Sequence, residues 1–166
     1  GGYIATYYAK RYPLRVGRLF IISNSPTALP LDELEQRSNI LSYATTHGYN
    51  GMSRKRAANF LDIENQRDEL VDLILEMDRA LGEIEFLSQY QRTSEREDLS
   101  QELVNFPFDT HIYYSENDKM IDKQWLSRLK ETKSNLSFIC TEGSGHMLPL
   151  EKPKELAHCI NTWAVL

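Results

Sequence analysis

Short apolar runs near both ends of the chain predict buried β-strands. Leu19 to Ile22 is a continuous apolar run, which suits a strand buried on both faces of a parallel sheet. Two further runs with strand character, Ile112 to Tyr114 and Phe138 to Cys140, occur near the other end. Helical patterns adjoin these runs at Gly2 to Arg11 and at Lys123 to Lys133. The pattern therefore predicts an α/β fold with three mainly parallel strands and flanking helices.

The strand–helix–strand order in the C-terminal part predicts where two polar residues lie. A helix between two such strands is typical of a parallel crossover, in which both strands end at the same edge of the sheet. Asp118 follows the first of these strands and His146 follows the second. We therefore expect them side by side at the carboxyl edge, where α/β sheets carry their sites. Pro153 to Val165 is predicted to form an amphipathic closing helix.

The chain between residues 28 and 103 has the pattern of helices rather than strands, and it predicts an inserted helical cap. Helical patterns run from Leu31 to about Thr46, from Ser53 to Leu61 and from Arg67 to Gln91. The last of them has an apolar stripe composed of Leu70, Ile74, Met77, Leu81, Ile84 and Leu87. Gly82 within it indicates a kink or a break between two helices. The predicted division is a core of residues 1–27 and 104–166 and a cap of residues 28–103.

Asp118 and His146 are the candidates for catalysis. A carboxylate that holds a neighbouring imidazole is the base half of a nucleophilic triad, in which the histidine takes a proton from the nucleophile and returns it to the leaving group. Gly143 and Gly145 favour this interpretation, because a tight turn is needed to hold the ring over a strand end. The structural alternatives are a turn aspartate and a loop histidine without function. Asp122 is the nearest rival to Asp118, but its position predicts a helix N-cap.

The positions of the other histidines and of the cysteines do not indicate a metal site. His47 is predicted to end a helix, His111 to lie near the start of a strand, and His158 to lie in the last helix. None of the three forms a metal-ligand pair with another at useful spacing. Cys140 and Cys159 give no disulfide framework, and we interpret them as buried thiols in a reducing cytoplasm. We therefore expect neither a metal nor a cofactor.

Four stretches resemble the α/β-hydrolase superfamily, in the order and spacing of that family. Ser115 to Ile121 resembles its acid loop after the seventh strand, and Gly143 to Pro153 resembles its histidine loop before the last helix. Gly1 to Val16 resembles the helix that follows the nucleophile elbow, and Arg18 to Ser25 resembles the sixth strand. The predicted cap resembles the lid of carboxylic-ester and carbon–carbon bond hydrolases at Leu81-Gly82, Phe86-Leu87, Gln89, Arg92 and Glu97-Asp98-Leu99.

The resemblance implies a partial α/β-hydrolase fold and a serine-type hydrolase of ester or related carbonyl substrates, with Asp118 as acid and His146 as base. The family's elbow has the pattern G-x-S-x-G, and the glycine pair that closes it matches Gly1-Gly2. The nucleophilic serine is therefore expected just upstream of Gly1, and both oxyanion-hole donors are expected outside these residues. On this interpretation the chain alone is near-inactive. The alternative is a non-catalytic, hydrolase-like protein that binds a ligand or a partner.

The composition and the net charge limit the classes of partner that we expect for this chain. A hydrophobic content of 41% and a charged content of 26% are ordinary for a globular protein. The net charge of −5 argues against nucleic acid, which requires a concentrated cationic face. Acidic residues concentrate between Asp62 and Glu102, which we interpret as a solvated helix face. Because no apolar run is long enough to span a bilayer, we expect no membrane partner. The interpretation of the two cysteines as reduced thiols goes with an expected cytoplasmic location.

The predicted strand from Leu19 to Ile22 bears on assembly. Without a strand paired to its outer side, it would form an exposed apolar edge, which invites pairing with another chain. We therefore expect a homodimer or higher oligomer formed at this edge. In the intact enzyme, the further expected partner is a small-molecule, ester-like substrate.

Overall fold

Three parallel strands form the sheet in the computed structural model, which describes residues 1–132 and 135–165. The strands are β1 (Leu19–Ile22), β2 (Thr110–Ser115) and β3 (Leu136–Thr141), and their order in the sheet is β1-β2-β3. Ile21 pairs with Ile112, and Ile112 pairs with Phe138. The predicted three-stranded parallel sheet is thereby confirmed.

Eight α-helices accompany the sheet within the described ranges. They are α1 (Gly2–Arg11), α2 (Leu31–His47), α3 (Arg54–Ala58), α4 (Asp68–Ser94), α5 (Ser100–Asn105), α6 (Lys123–Lys130), α7 (Leu148–Glu151) and α8 (Pro153–Val165). The bounds of α1 and α8 agree with the expectation from the sequence. The helix expected to end at Leu61 ends earlier, at Ala58. The helix expected to reach Lys133 ends at Lys130, and Lys133 itself lies outside the described residues.

Two of the helix ends are set by the local chemistry that the sequence predicts. Asp122 is the N-cap of α6, because its carboxylate accepts a hydrogen bond of 2.9 Å from the backbone N–H of Trp125. Gly48 follows α2 with a φ of 80°, a left-handed conformation that glycine adopts without strain. The helix therefore ends at His47, as expected.

The apolar stripe predicted for α4 is wrong at two positions. Gly82 has a φ of 81° and a ψ of 174°, which are not helical values, so the regular helix is interrupted there. The sequence predicted a kink or a break between two helices at this glycine. Ahead of the interruption, the buried face consists of Val71, Ile74, Leu75 and Asp78. Met77 lies beside that face and is 51% exposed. Ile84 follows the interruption and is 79% exposed, because the break prevents one stripe from continuing along the whole helix.

The sheet is covered on both faces by helices. On one face, Ile112 and Tyr114 pack into a buried cluster with Ala9, Leu19, Ile21, Leu103, Phe106, Phe108, Ile121, Trp125, Leu126 and Leu129. On the other face, Tyr113 packs against Leu148 and Leu156. Successive residues of β2 thus point to opposite faces and are buried on both, as in a central parallel strand.

The segment predicted as a cap has a buried cluster of its own, formed by Ala57, Leu61, Val71, Ile74 and Leu75. Met147 and Leu150, which belong to the C-terminal part of the chain, pack against this cluster. The two ends of the segment meet, because the N–H of Leu99 donates a hydrogen bond of 2.9 Å to the carbonyl of Pro26. The division into a core of residues 1–27 and 104–166 and a cap of residues 28–103 stays a prediction.

The cysteine interpretation is wrong for Cys140. Its side chain is exposed, whereas Cys159 is partly buried, and both are free thiols. Cys140 lies on β3, which has β2 as its one strand neighbour among the described residues, so part of β3 remains open to solvent. Residues on an edge strand are less completely buried than residues on a central strand. The apolar run around Cys140 predicted a strand, but it did not indicate whether that strand is central or at an edge.

The strand β1 also has β2 as its one neighbour in the described sheet. The oligomer expected at its other edge stays a prediction. Over residues 1–132 and 135–165, no helix combines the length and the apolar character needed to cross a membrane.

Alkaline pH provides a test of the packing around β2. Tyr113 is fully buried and donates a hydrogen bond of 2.9 Å to Oε1 of Glu155. Burial, together with the acceptor carboxylate, raises the pKa of Tyr113 to about 12 from its ordinary value of 10.0. Between these two values the unfolded chain loses this proton and the folded chain retains it. The free energy of unfolding is therefore expected to decrease by on the order of 1 kcal/mol for each pH unit across this window.

Denaturation by urea at several pH values measures this effect. Tyr113→Phe should reduce the loss of stability above pH 10, whereas Tyr43→Phe, at an exposed tyrosine, should leave it unchanged. If the free energy of unfolding depends on pH equally in the wild type and in Tyr113→Phe, then folding does not raise the pKa of this hydroxyl.

Candidate active site

The structure brings Asp118 and His146 together at the carboxyl edge of the sheet. Asp118 lies in the turn after β2, and His146 lies in the loop after β3. Nδ1 of His146 is 3.0 Å from Oδ2 and 3.2 Å from Oδ1 of Asp118. Parallel strand order accounts for this contact, because both loops leave the sheet on the same side.

The surroundings of the pair determine the orientation of the imidazole. Asp118 is fully buried, and its carboxylate also accepts a hydrogen bond of 2.8 Å from the N–H of Met120. A buried carboxylate needs such partners, since an unpaired buried charge is costly. Because a carboxylate accepts and does not donate, Nδ1 of His146 carries the proton in this contact. Nε2 is therefore the acceptor nitrogen of the neutral ring, and no described residue forms a hydrogen bond with it; the side chain is 30% exposed.

Direct hydrogen bonds tie the acid loop to the histidine loop. The hydroxyl of Ser115 donates to the carbonyl of Ser144 and accepts a hydrogen bond of 3.2 Å from the N–H of Asn117. The N–H of Glu116 donates to the carbonyl of Thr141 at 3.0 Å, which extends the pairing of β2 and β3 into the loops. These contacts fix the separation of the two loops.

A segment from the predicted cap, residues 60–65, contacts both loops, and we call it the cap turn. The carbonyl of Phe60 accepts a hydrogen bond of 2.7 Å from the N–H of His146, and the two rings are 6.0 Å apart. Oδ2 of Asp62 accepts a hydrogen bond of 2.7 Å from Nδ2 of Asn117. The cap turn therefore packs directly against the residues that surround the Asp118–His146 pair.

Glu151, at the end of α7, joins the cap turn to the histidine loop. Its carboxylate accepts hydrogen bonds of 2.9 Å from the N–H of Gly145, 2.8 Å from the N–H of Asp62 and 3.0 Å from Nδ2 of Asn65. Asn65 also donates to the carbonyl of Gly143 at 3.0 Å. Sequence reasoning included Glu151 within the hydrolase-like stretch but gave it no role. No sequence pattern indicated Asn65.

Gly145 has no space for a side chain. A Cβ at this position would be 2.6 Å from the carbonyl oxygen of Phe60 and 2.7 Å from the backbone N of Asp62. These neighbours are backbone atoms, which do not move aside as the end of a flexible side chain does. Close approach of the cap turn therefore requires glycine at residue 145.

The start of α1 lies at the same edge of the sheet. A Cβ at Gly2 would be 2.7 Å from Cβ of Asn24, so the first turn of α1 packs against the residues that follow β1. Ser23, directly after β1, has a φ of 45°, which is strained for a residue with a side chain. The hydroxyl of Ser23 and Oδ1 of Asn24 are buried without a hydrogen-bond partner among the described residues.

The remaining candidates lie elsewhere. His111 is at the second position of β2, where its ring stacks on Phe20 at 6.2 Å and burial lowers its pKa. His47 ends α2 and His158 lies in α8. Within the described residues, no group of three or more His, Cys, Asp or Glu side chains could hold a metal ion. Asp118 and His146 are therefore the candidate residues that the fold brings into contact.

Comparison with solved structures identifies the fold. No protein-family model matches the sequence, and no curated protein sequence matches it. An esterase from Thermogutta terrifontis superposes with a TM-score of 0.87 at 18% identity, over 98% of this chain and 61% of that one. A carboxylesterase from Nitrososphaera gargenis gives 0.74 at 20% identity, over 99% and 61%. A meta-cleavage product hydrolase from Pseudomonas fluorescens gives 0.68 at 20% identity, over 96% and 60%.

The chain therefore has a partial α/β-hydrolase fold that corresponds to the C-terminal part of these enzymes. It spans about 61% of the length of the two esterases. This result confirms the resemblance inferred from the acid loop, the histidine loop and the stretches around α1 and β1. At these identities the likeness defines the fold, and the chemistry has to be argued from the site.

Proposed function

We propose that this chain supplies the acid and the base of a serine hydrolase that cleaves carboxylic esters or related carbonyl substrates. The observation that carries the proposal is the contact between the buried carboxylate of Asp118 and Nδ1 of His146. This contact holds a proton on Nδ1, so that in the neutral imidazole Nε2 is the nitrogen that can act as a general base, and the side chain is 30% exposed.

In the proposed mechanism, Nε2 of His146 takes the proton of the serine hydroxyl as the oxygen attacks the ester carbonyl. The imidazolium then donates this proton to the departing alcohol. Asp118 keeps Nδ1 protonated throughout and stabilises the positive charge on the ring. In the second half-reaction, His146 activates water in the same way, and the acyl group leaves as a carboxylic acid.

We propose that the nucleophile is a serine two residues ahead of Gly1 in the intact protein. Two observations support this position. The stretch from Gly1 to Val16 resembles the helix after a nucleophile elbow, and the close contact of Gly2 with Asn24 holds the start of α1 at the carboxyl edge. A residue that precedes α1 is therefore directed to the edge where Asp118 and His146 lie. The oxyanion-hole donors are likewise assigned to residues outside this range.

The serines near this edge within the chain are poor alternatives. The hydroxyls of Ser23 and Ser144 are buried, and Ser25 accepts a hydrogen bond of 3.2 Å from the N–H of Asp122. None of them has a hydrogen bond to the imidazole of His146 in the described residues. The choice of an ester class of substrate is our inference; it is supported by the two esterases with the same fold and by the cap resemblance.

A serine-directed probe tests the proposal. The intact protein is treated with a fluorophosphonate, which forms a covalent bond to an activated serine with loss of fluoride, and hydrolysis of p-nitrophenyl acetate and butyrate is followed in parallel. We expect ester hydrolysis and a single adduct, which peptide mass spectrometry assigns to the serine ahead of Gly1. Heat-unfolded protein should remain unlabelled. Absence of both the adduct and hydrolysis would refute the proposal and favour the non-catalytic alternative.

A further inference from the structure

The carboxylate of Glu151 receives hydrogen bonds from two separate parts of the chain. One donor, the N–H of Gly145, belongs to the histidine loop, and two others, the N–H of Asp62 and the amide of Asn65, belong to the cap turn. The cap turn and the histidine loop are far apart in sequence, as the separation of 78 between Asn65 and Gly143 illustrates. Glu151 is therefore a link between them, in addition to the direct hydrogen bonds from His146 to Phe60 and from Asn65 to Gly143.

The hydrogen bonds to Glu151 are of the stronger kind. Bonds to an ionised acceptor are roughly twice as strong as those between neutral groups. The backbone N–H groups of Asp62 and Gly145 donate to the carboxylate, and neither has another acceptor among the described residues. Removing the carboxylate would leave these donors without an acceptor, which destabilises the arrangement of the two segments.

Glu151 acts on the residue directly before His146. With the N–H of Gly145 bound to Glu151 and the N–H of His146 bound to the carbonyl of Phe60, two successive amides of the histidine loop are fixed. Fixing both amides determines the direction in which the side chain of His146 leaves the backbone. The position of the imidazole against Asp118 thus depends on contacts outside the pair itself.

We propose that Glu151 is a positioning residue, which holds His146 against Asp118 by binding the histidine loop to the cap turn. The role of Glu151 in catalysis rests on the proposed function, whereas its effect on the Asp118–His146 contact does not depend on that function. The two members of the pair are held differently. Asp118 is fixed by its own turn after β2 through Met120, while His146 is fixed by the cap turn. The cap turn contacts the acid loop at Asn117 but binds His146 itself, so a movement of the cap turn affects the position of the base more directly than that of the acid.

The test follows the proton on Nδ1 of His146, which the contact with Asp118 protects from exchange with water. In the intact protein labelled with ¹⁵N-histidine, NMR measures the exchange rate of this proton. Glu151→Gln is expected to increase the exchange rate about tenfold, which corresponds to losing one charge-assisted hydrogen bond.

Glu142→Gln is the matched control. Glu142 is exposed and precedes His146 in the same loop, so the substitution removes the same charge without removing a hydrogen bond of the described set. It should leave the exchange rate unchanged. Equal exchange rates in the wild type, Glu151→Gln and Glu142→Gln would overturn the proposal. An equal increase in both variants would also overturn it, because the effect would then be one of charge alone.

A second variant keeps the test decisive if Glu151→Gln does not fold. Asn65→Ala retains the carboxylate but removes one donor of the cap turn and its hydrogen bond to Gly143. A smaller increase in exchange supports the proposal, and an unchanged rate contradicts it. Since the measurement needs no substrate, a protein that fails to hydrolyse esters can still show the effect of Glu151. The two proposals therefore fail independently.

Discussion

Asp118→Asn is expected to lower kcat/KM for ester hydrolysis by the intact protein about 10⁴-fold. The carboxylate accepts from the N–H of Met120 and from Nδ1 of His146, and asparagine has one acceptor oxygen and one amide donor. If the oxygen remains with Met120, the NH₂ group faces Nδ1. Nδ1 must then act as acceptor, and the proton moves to Nε2. The imidazole can no longer take the proton of the nucleophile.

Asp122→Asn is the control for this substitution. Asp122 is the N-cap of α6 and has no contact with His146, and asparagine caps a helix about as well as aspartate does. Its activity should therefore equal that of the wild type. The kcat/KM values of the three proteins are compared over a range of pH, with circular dichroism as a check on folding. A loss of less than tenfold in folded Asp118→Asn would refute the assignment of Asp118 as the acid.

Gly145→Ala is expected to reduce both stability and activity. The added Cβ would lie 2.6 Å from the carbonyl oxygen of Phe60, a backbone atom of the cap turn. Either the cap turn or the histidine loop must therefore move, and overpacking of this kind typically costs about 1–3 kcal/mol. Displacement of the base by about 1 Å can in addition lower the rate about 10²-fold. Denaturation by urea measures the first effect and ester hydrolysis the second.

Gly143→Ala separates this contact from backbone strain. Gly143 has a φ of 60°, which disfavours alanine by roughly 1–2 kcal/mol, but the nearest atom to an added Cβ is Nζ of Lys152 at 3.8 Å. We expect Gly143→Ala to lose stability while retaining most of its activity. If the two variants lose activity equally, then the general integrity of the loop, rather than contact with the cap turn, controls His146.

The sheet and the contact of Asp118 with His146 could be predicted because they depend on local patterns and on one topological rule. Apolar runs defined the strands, and the helix between β2 and β3 required a parallel crossover that brings both loops to one edge. No knowledge of distant contacts was needed. The N-cap role of Asp122 and the end of α2 at His47 were predictable for the same reason, because each depends on neighbours within a few residues.

The contacts that surround the pair could not be predicted, because they join distant parts of the chain. Asn65 and Glu151 are separated by 86 residues, and nothing in either segment indicates the other. The stripe of α4 failed at Met77 and Ile84 because the break at Gly82 and the packing partners decide which face is buried. The interpretation of Cys140 failed because an apolar run does not reveal whether its strand is central or at an edge.

The hydrogen bond between Leu99 and Pro26 has a consequence for chain entropy. This hydrogen bond joins the residues just before the predicted cap to those near its end, so the chain between them forms a closed loop. Pairing of β1 with β2 requires this loop to close, but it does not require a particular loop length. The entropic cost of such a closure increases only with the logarithm of the length, by about 0.6 kcal/mol for each doubling. Insertions or deletions within the predicted cap are therefore expected to change the cost of forming the sheet very little, provided that residues 60–65 remain in place against Gly145.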